Sequence, residues 1–178
     1  EVRAADAVVY LVPVDSAEEV PVPVPVPEHE MIDQRDLRFL PRIIVVPPGS
    51  TVEFLNSDPI LHNVFSPPRP GPGFNLGVYS PTERRSQVFG EEGAHVVLCH
   101  IHPEMLAYVV VVPGRLHAVA DADGRYRIDS VPPGRYWLRV WHRRLAFAHQ
   151  EIQVAPGARL RLDLMLGPIR SDRKERHP

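Results

Sequence analysis

The chain has little cysteine, little methionine and no long apolar segment. Among its 178 residues there is one cysteine, Cys99, which excludes an internal disulfide and leaves this thiol as either a core residue or a functional group. No apolar run approaches the roughly 18 to 20 residues that cross a bilayer as a helix. The first residues also lack the basic start and apolar stretch of a signal peptide. The sequence therefore predicts a soluble chain without a transmembrane segment, and any export signal would have been removed before Glu1.

A strong excess of charge of either sign is also lacking. Lys and Arg number 20, Asp and Glu number 22, and the formal net charge is -2. Such a balance provides no basic surface for nucleic acid and no acidic block that would hold cations diffusely. Because 44% of the residues are hydrophobic, the chain can bury a core. We expect a folded protein that recognises its partners locally.

Apolar residues at helical spacing are missing, and proline is abundant instead. The 21 prolines are spread along the chain and mark turns between short runs rich in Val, Ile, Tyr and Phe. This pattern predicts an all-β protein. The runs predicted as strands in the first two thirds of the chain are residues 7–13, 39–46, 51–55, 62–66, 85–89, 95–99 and 107–112.

The strand pattern restarts after Pro113 with the segments 115–121, 125–131, 135–142 and 151–166, and Asp123-Gly124 is a hairpin signal between the first two of them. This region has only about 55 residues, too few to close a β-sandwich alone. We therefore predict one domain at 28–112 and a second at 1–27 and 113–168, completed by the N-terminal strand. Alternatively, that strand belongs to the 28–112 domain. Residues 21–27 are predicted as a polyproline-II connector and residues 169–178 as a disordered charged tail.

The most informative segment is a short turn with three different metal-binding side chains. Cys99, His102 and Met105 are spaced Cys-x2-His-x2-Met between two apolar runs, and His62 follows a separate strand in the string DPILHNVFS. Thiolate and two imidazoles with a distant thioether form the ligand set of a blue-copper site. We predict His62, Cys99, His102 and Met105 as ligands of one copper ion per chain, cycling between Cu(I) and Cu(II).

Several alternatives to this ligand set remain open from the sequence. Met105 could fill the core beneath the turn instead of binding metal, and His100 or Glu104 could replace a ligand. Zinc could occupy the same cavity, because imidazole and thiolate also suit it.

Two residues near the first histidine have predicted roles that do not involve direct metal binding. Asn63 either joins the two ligand segments through hydrogen bonds near the thiolate or stabilises its own turn. Asp58, followed by Pro59, is predicted as a turn residue, and the string GPGFNLG at 71–77 as a surface turn.

The strings HNV and Cys-x2-His-Pro-x-Met resemble the amicyanin and plastocyanin branch of the cupredoxins over residues 33–113. More widely, DAVVYL, DPILHNVFS, CHIHPEM and DADGRYRIDSVPPGRYWLRVWH are similar to bacterial plastocyanin-like proteins joined to a carboxypeptidase-regulatory-like, transthyretin-type sandwich. The resemblance implies a cupredoxin Greek-key sandwich followed by a second small, prealbumin-like sandwich. It also implies an exported, periplasmic or surface-held bacterial protein.

The predicted function is one-electron transfer by a type 1 copper protein, with His102 as the electron port. Since all four proposed coordination positions are filled and no hydrolase or zinc-protease motif occurs, the sequence predicts no enzyme. An apolar surface near His102 is expected to receive a transient redox partner; its members are Pro67, Pro68, Pro72, Phe74, Pro103 and Leu106. The alternative functions are a copper carrier or sensor without a redox role, and a scaffold module with a vestigial metal site.

Overall fold

The structure is a computed structural model that describes residues 4–14 and 26–169. The predicted all-β class is confirmed, because the regular elements of the described residues are strands. No helix that could cross a membrane occurs among them. The predicted connector at 21–27 and the predicted tail at 169–178 lie largely outside the described residues. The strands are β1 (Val8–Pro13), β2 (His29–Arg35), β3 (Arg38–Leu40), β4 (Ile43–Val46), β5 (Ser50–Asn56), β6 (His62–Ser66), β7 (Phe74–Tyr79), β8 (Arg84–Phe89), β9 (Gly93–Leu98), β10 (Leu106–Val111), β11 (His117–Val119), β12 (Gly134–Trp141), β13 (Leu145–Ala146), β14 (Gln150–Val154) and β15 (Gly167–Pro168).

The chain divides into two compact units. The inserted unit consists of residues 23–115, and the flanking unit consists of residues 1–22 and 116–178. Strands β2 to β10 lie in the inserted unit, whereas β1 and β11 to β15 lie in the flanking unit.

The inserted unit is a sandwich of two sheets with the strand orders β4-β10-β9-β6-β7 and β3-β2-β5-β8. Its strands alternate buried and less buried residues, most regularly in β5, because successive side chains of a strand face opposite sides of a sheet. Ile32, Phe54 and Phe89 from one sheet share a buried core with Val64 and Val97 from the other. This common core holds the two sheets face to face.

Strand pairing brings the ends of β6 and β9 together. The two strands are antiparallel, with Phe65 opposite Leu98, so the start of β6 lies beside the end of β9. His62 is the first residue of β6, and Cys99 directly follows β9. The loop 99–105 then leads into β10, which pairs antiparallel with β9.

Some predicted strand boundaries in this unit are wrong. The segment 71–77 is not only a surface turn, because Phe74 begins strand β7, which pairs with β6. Residues 39–46 do not form one strand but divide between β3 and β4, which belong to different sheets. Sequence patterns mark apolar runs, but they do not show where the chain leaves one sheet for the other.

The flanking unit contains a sheet with the order β11-β1-β12-β14. Strand β1 lies in its interior, antiparallel to both β11 and β12. Val9 and Leu11 of β1 form a buried core with Tyr136 and Leu138 of β12. The hydroxyl of Tyr136 donates to the carbonyl of Pro132 at 2.8 Å, which satisfies its polar end inside the core.

In this unit the predicted strand 125–131 is absent, and only the first residues of the predicted segment 151–166 form a strand, as part of β14. Residues 125–131 and 158–166 make no ladder, although a turn at Asp121–Arg125 is present. Leu162 and Leu164 do pack against the core, and the hydroxyl of Tyr126 donates to the carbonyl of Leu162 at 3.0 Å. The alternation of apolar and polar residues therefore predicts which side chains face the core. A β-strand also requires hydrogen bonds to a neighbouring strand, which this alternation does not predict.

The stability of the flanking unit is expected to fall as the solution becomes acidic, because of His142. Burial lowers the pKa of His142 below 6.5, its ordinary value. Its Nδ1 accepts hydrogen bonds from the backbone amides of Arg144 and Leu145, which a proton on that nitrogen would break. Below about pH 6.5 the unfolded chain therefore binds a proton at this histidine more readily than the folded chain does. The free energy of unfolding then falls by up to about 1.4 kcal/mol for each pH unit.

This pH dependence can be measured by urea unfolding followed by tryptophan fluorescence, since Trp137 and Trp141 both lie in the flanking unit. We expect the free energy of unfolding to fall between about pH 7 and about pH 5, and His142→Gln to flatten that fall. His149→Gln, a change at an exposed histidine, should preserve it. Equal slopes for the wild type and His142→Gln would contradict the assignment.

Candidate metal centre

Three of the four predicted ligands meet at one point in the inserted unit. His62, Cys99 and His102 form a group whose ligand atoms all lie within 4.8 Å of one another. The Cys99 sulfur is 4.0 Å from Nδ1 of His62 and 4.0 Å from Nδ1 of His102, and the two Nδ1 atoms are 3.1 Å apart. The chain thus contains a His/Cys/His cluster that could hold a metal ion.

The donor atoms fit a single ion in both distance and chemistry. Ligands bound at about 2.0 Å for nitrogen and about 2.3 Å for sulfur cannot be more than about 4.3 Å apart. All three separations in the cluster are shorter than this limit. A thiolate with two imidazoles suits copper and zinc, whereas calcium and magnesium require oxygen ligands.

Met105, the fourth predicted ligand, lies close to the cluster along the chain. Its side chain is 1% exposed and belongs to the same buried core as Cys99. Its backbone amide donates to the carbonyl of His102 at 3.0 Å, which closes the turn after the histidine. Core packing is thus established for Met105, and its role as axial ligand remains a prediction.

Asn63 connects the elements that carry the cluster. Its backbone amide donates to the Cys99 sulfur at 3.4 Å, and its side-chain oxygen accepts from the amide of His100 at 3.4 Å. Its side-chain nitrogen donates to Asn75 and to the carbonyl of Gly77, both at 2.9 Å. The structure therefore contains both arrangements considered from the sequence, since Asn63 joins the two ligand segments and also fixes the local β6–β7 pairing.

Asp58 contacts the cluster directly, which the sequence did not indicate. Its carboxylate lies 2.8 Å from Nε2 of His62, the ring nitrogen opposite the cluster. Burial alone raises the pKa of Asp58, but hydrogen bonds from His62 and from the amides of Leu37 and Asp36 outweigh it and hold that pKa below its usual value. Asp58 is therefore a buried anion beside a candidate metal ligand. The only sequence feature that could have indicated this contact is the position of Asp58 four residues before His62.

The alternative ligands His100 and Glu104 are both exposed and lie outside the cluster of described residues. The ring of His100 stacks on Phe65 at a centroid distance of 3.6 Å and an interplanar angle of 2°. This stacking holds the imidazole beside β6 and outside the cluster.

Replacing His100 by Ala is expected to leave metal affinity unchanged within about twofold, because the ring is not part of the cluster. The measurement is a competition titration of Cu(I) against a chromophoric chelator. A loss of affinity comparable to that of His102→Ala would show that His100 is a ligand.

The residues predicted as an apolar surface near His102 do not lie at one place. Pro103 and Leu106 follow His102 in the chain, whereas Pro67, Pro68 and Pro72 come after the end of β6, which lies beside the start of β9 and away from Cys99. All four prolines are exposed. Phe74 is partly buried and packs against the core, with its ring 5.6 Å from that of Phe89, and its role in docking stays a prediction. The position of Phe74 after a Pro/Gly turn favours an exposed ring. In the structure Phe74 begins β7, and its ring covers the core.

Comparison with known protein families gives a match in the C-terminal region. The family model of the carboxypeptidase regulatory-like domain matches residues 104–167. This C-terminal region is similar to carboxypeptidase regulatory-like domains. The match spans β10 to β14 and the first residue of β15, and it does not include β1. The comparison with curated proteins finds no match.

Cupredoxins are among the solved structures similar to this chain. A purple cupredoxin from Nitrosopumilus maritimus is 26% identical, over 47% of this chain and 99% of that protein, with a TM-score of 0.43. Amicyanin from Paracoccus versutus is 21% identical, over 58% of this chain and 98% of that protein, with a TM-score of 0.45. A copper-containing nitrite reductase from Thermus scotoductus is 27% identical, over 57% of this chain but 25% of the reductase, with a TM-score of 0.43.

Proposed function

We propose that the inserted unit is a type 1 copper domain that transfers single electrons, with His62, Cys99 and His102 as equatorial ligands and Met105 as axial ligand. The observation that carries the proposal is the convergence of one sulfur and two Nδ1 atoms within 4.0 Å of one another, in a buried position. When bound, copper would supply one-electron exchange between Cu(I) and Cu(II).

The surrounding residues support a site that changes little between two oxidation states. Three ligand candidates lie on one short loop that β9 and β10 hold at both ends. Asn63 donates to the thiolate sulfur and joins this loop to β6. Val97 and Ala107 pack beside Cys99 in the core, so the loop has few ways to rearrange. A site held in this way requires little movement when its charge changes.

The burial of the three ligands supports His102 as the electron port. His62 and Cys99 are buried, whereas the ring of His102 is half-buried. His102 is thus the cluster member through which a partner would come closest to the site. Pro103 is exposed and directly follows His102, so it would form part of the contact surface for a transient redox protein.

The proposal extends to the domain organisation, location and role of the whole chain. We infer a copper-binding domain at 28–112 and a carboxypeptidase-regulatory-like domain formed by 1–27 and 113–168. The chain is proposed to be an exported bacterial carrier, periplasmic or held at the surface, and not an enzyme, because the four proposed ligands leave no open coordination position for a substrate.

The proposal is tested by voltammetry of the copper-loaded protein. We expect one reversible one-electron wave that is absent in Cys99→Ser, together with fast electron exchange with a small redox reagent. If reduction instead releases the copper to a Cu(I) chelator, the protein is a copper carrier and the electron-transfer proposal fails. A single-electron wave retained in Cys99→Ser would also contradict it.

A further inference from the structure

Asp58 connects His62 to a hairpin turn at a different place in the chain. The residue is 7% exposed, and its carboxylate accepts hydrogen bonds from two backbone amides and contacts the His62 ring. Oδ1 accepts from the backbone amide of Asp36 at 2.7 Å, and Oδ2 accepts from that of Leu37 at 3.1 Å. Oδ2 also lies 2.8 Å from Nε2 of His62. One buried side chain therefore joins the turn between β2 and β3 to the first residue of β6.

The contact with Asp58 determines which nitrogen of His62 carries its hydrogen. An ionised carboxylate only accepts hydrogen bonds, so the hydrogen of a neutral His62 must lie on Nε2. Nδ1 then has a free lone pair, and it is Nδ1 that lies 4.0 Å from the sulfur of Cys99 and 3.1 Å from Nδ1 of His102. The ring is thus in the tautomer, and in the orientation, that a metal ligand requires.

The carboxylate is itself held in place by backbone. Asp36 and Leu37 occupy the two central positions of the β2–β3 turn, between the paired residues Arg35 and Arg38. Both have positive φ, 54° for Asp36 and 58° for Leu37, a conformation that favours Asn and Gly and is unfavourable for Leu. The two amide hydrogen bonds to Asp58 offset this cost. They also fix the carboxylate, which therefore orients the His62 ring more firmly than a mobile side chain would.

We propose that Asp58 is a positioning residue that fixes the tautomer and ring orientation of His62 before metal binds and places a negative charge behind that ligand. This inference rests on the proposed copper site and names the residue that prepares one of its ligands. A carboxylate behind an imidazole raises the basicity of the ligand nitrogen, so Asp58 favours the more highly charged Cu(II) over Cu(I).

The test separates the contact with His62 from the support of the turn. The reference protein carries Asp36→Asn and Leu37→Gly, which create an Asn-Gly turn that accepts positive φ without help from Asp58. Asp58→Asn is then added to this reference. The new amide is isosteric with the carboxylate and keeps an oxygen for one backbone amide, but it presents NH2 toward Nε2 of His62. A purely structural role for Asp58 would be largely compensated by the new turn.

The first readout is the tautomer of His62 in the metal-free protein, from 15N NMR of the imidazole. We expect hydrogen on Nε2 in the wild type and the reference, and a shift toward hydrogen on Nδ1 after Asp58→Asn. Hydrogen on Nδ1 in the wild type would overturn the proposal without any variant. An unchanged tautomer after Asp58→Asn would also overturn it.

The second readout uses copper. Relative to the reference, Asp58→Asn is expected to lower Cu(II) affinity by about 10 to 100-fold and to move the reduction potential to a more positive value. Affinity and potential equal to those of the reference would contradict the charge effect. If the wild type gives no copper–thiolate absorption, the proposed function fails, while the tautomer measurement still decides the role of Asp58.

Discussion

Replacing Cys99 by Ala is expected to lower the affinity for Cu(I) by at least about a hundredfold. Loss of a residue that only supports a metal ligand typically lowers metal affinity by about 10 to 100-fold. Cys99 is itself the sulfur ligand of the cluster, and a cysteine binds metal as a thiolate, so its loss should cost more. The metal-free variant should remain folded, because Cys99 is 4% exposed in an apolar core and Ala removes one sulfur atom without adding a polar group there. Competition with a Cu(I) chelator gives the affinity.

The matched control for this loss is His95→Gln. His95 is also buried and lies on the strand that leads to Cys99, but its Nε2 lies 2.8 Å from the carbonyl of Glu91 and it is outside the cluster. Its replacement should leave Cu(I) affinity within about twofold. Equal losses for His95→Gln and Cys99→Ala would mean that the variants act by disturbing the fold and not by removing a ligand.

The second large effect concerns the core beneath the site. Phe54→Ala is expected to destabilise the inserted unit by about 3 to 5 kcal/mol, through lost burial and the cavity that remains. Phe54 is 0% exposed, lies on the central strand β5 and packs 6.4 Å from the ring of Phe74. The slowest amide hydrogen exchange of β5 and β8 measures this loss within the unit.

Val88→Ala is the control for Phe54→Ala. Val88 lies on the neighbouring strand β8, opposite Thr51 of β5, but it is 57% exposed. Its truncation should change the free energy of unfolding by less than about 0.5 kcal/mol. If Phe54→Ala were as mild as Val88→Ala, the two sheets would not share the core described here.

The convergence of Cys99 and His102 could be predicted from the sequence because the two residues lie close together in the chain. Cys99 and His102 lie within four positions on one turn, so both donor atoms come from one short loop. His62 required a second step, since only the pairing of β6 with β9 places it beside the thiol. Its string HNV after an apolar strand was sufficient to choose it among the nine histidines.

The role of Asp58 could not be predicted, because it depends on contacts between distant parts of the chain. The turn that holds its carboxylate lies 21 to 22 positions earlier, at Asp36 and Leu37. An Asp-Pro pair read alone indicates a turn, which is a local property. The packing of Phe74 against the core could not be predicted for a similar reason, since it depends on which strand β7 joins. Local sequence patterns therefore predicted the residues of the cluster, whereas the residues that position them depend on the topology of the strands.

The most direct test of the metal site is the visible absorption spectrum of the metal-free protein after one equivalent of Cu(II), with Cys99→Ser measured beside it. Coordination by the thiolate of Cys99 with His62 and His102 predicts an intense blue charge-transfer band that is lost in Cys99→Ser. No such band in the wild type, or an equal band in both proteins, would contradict a type 1 copper site built on Cys99.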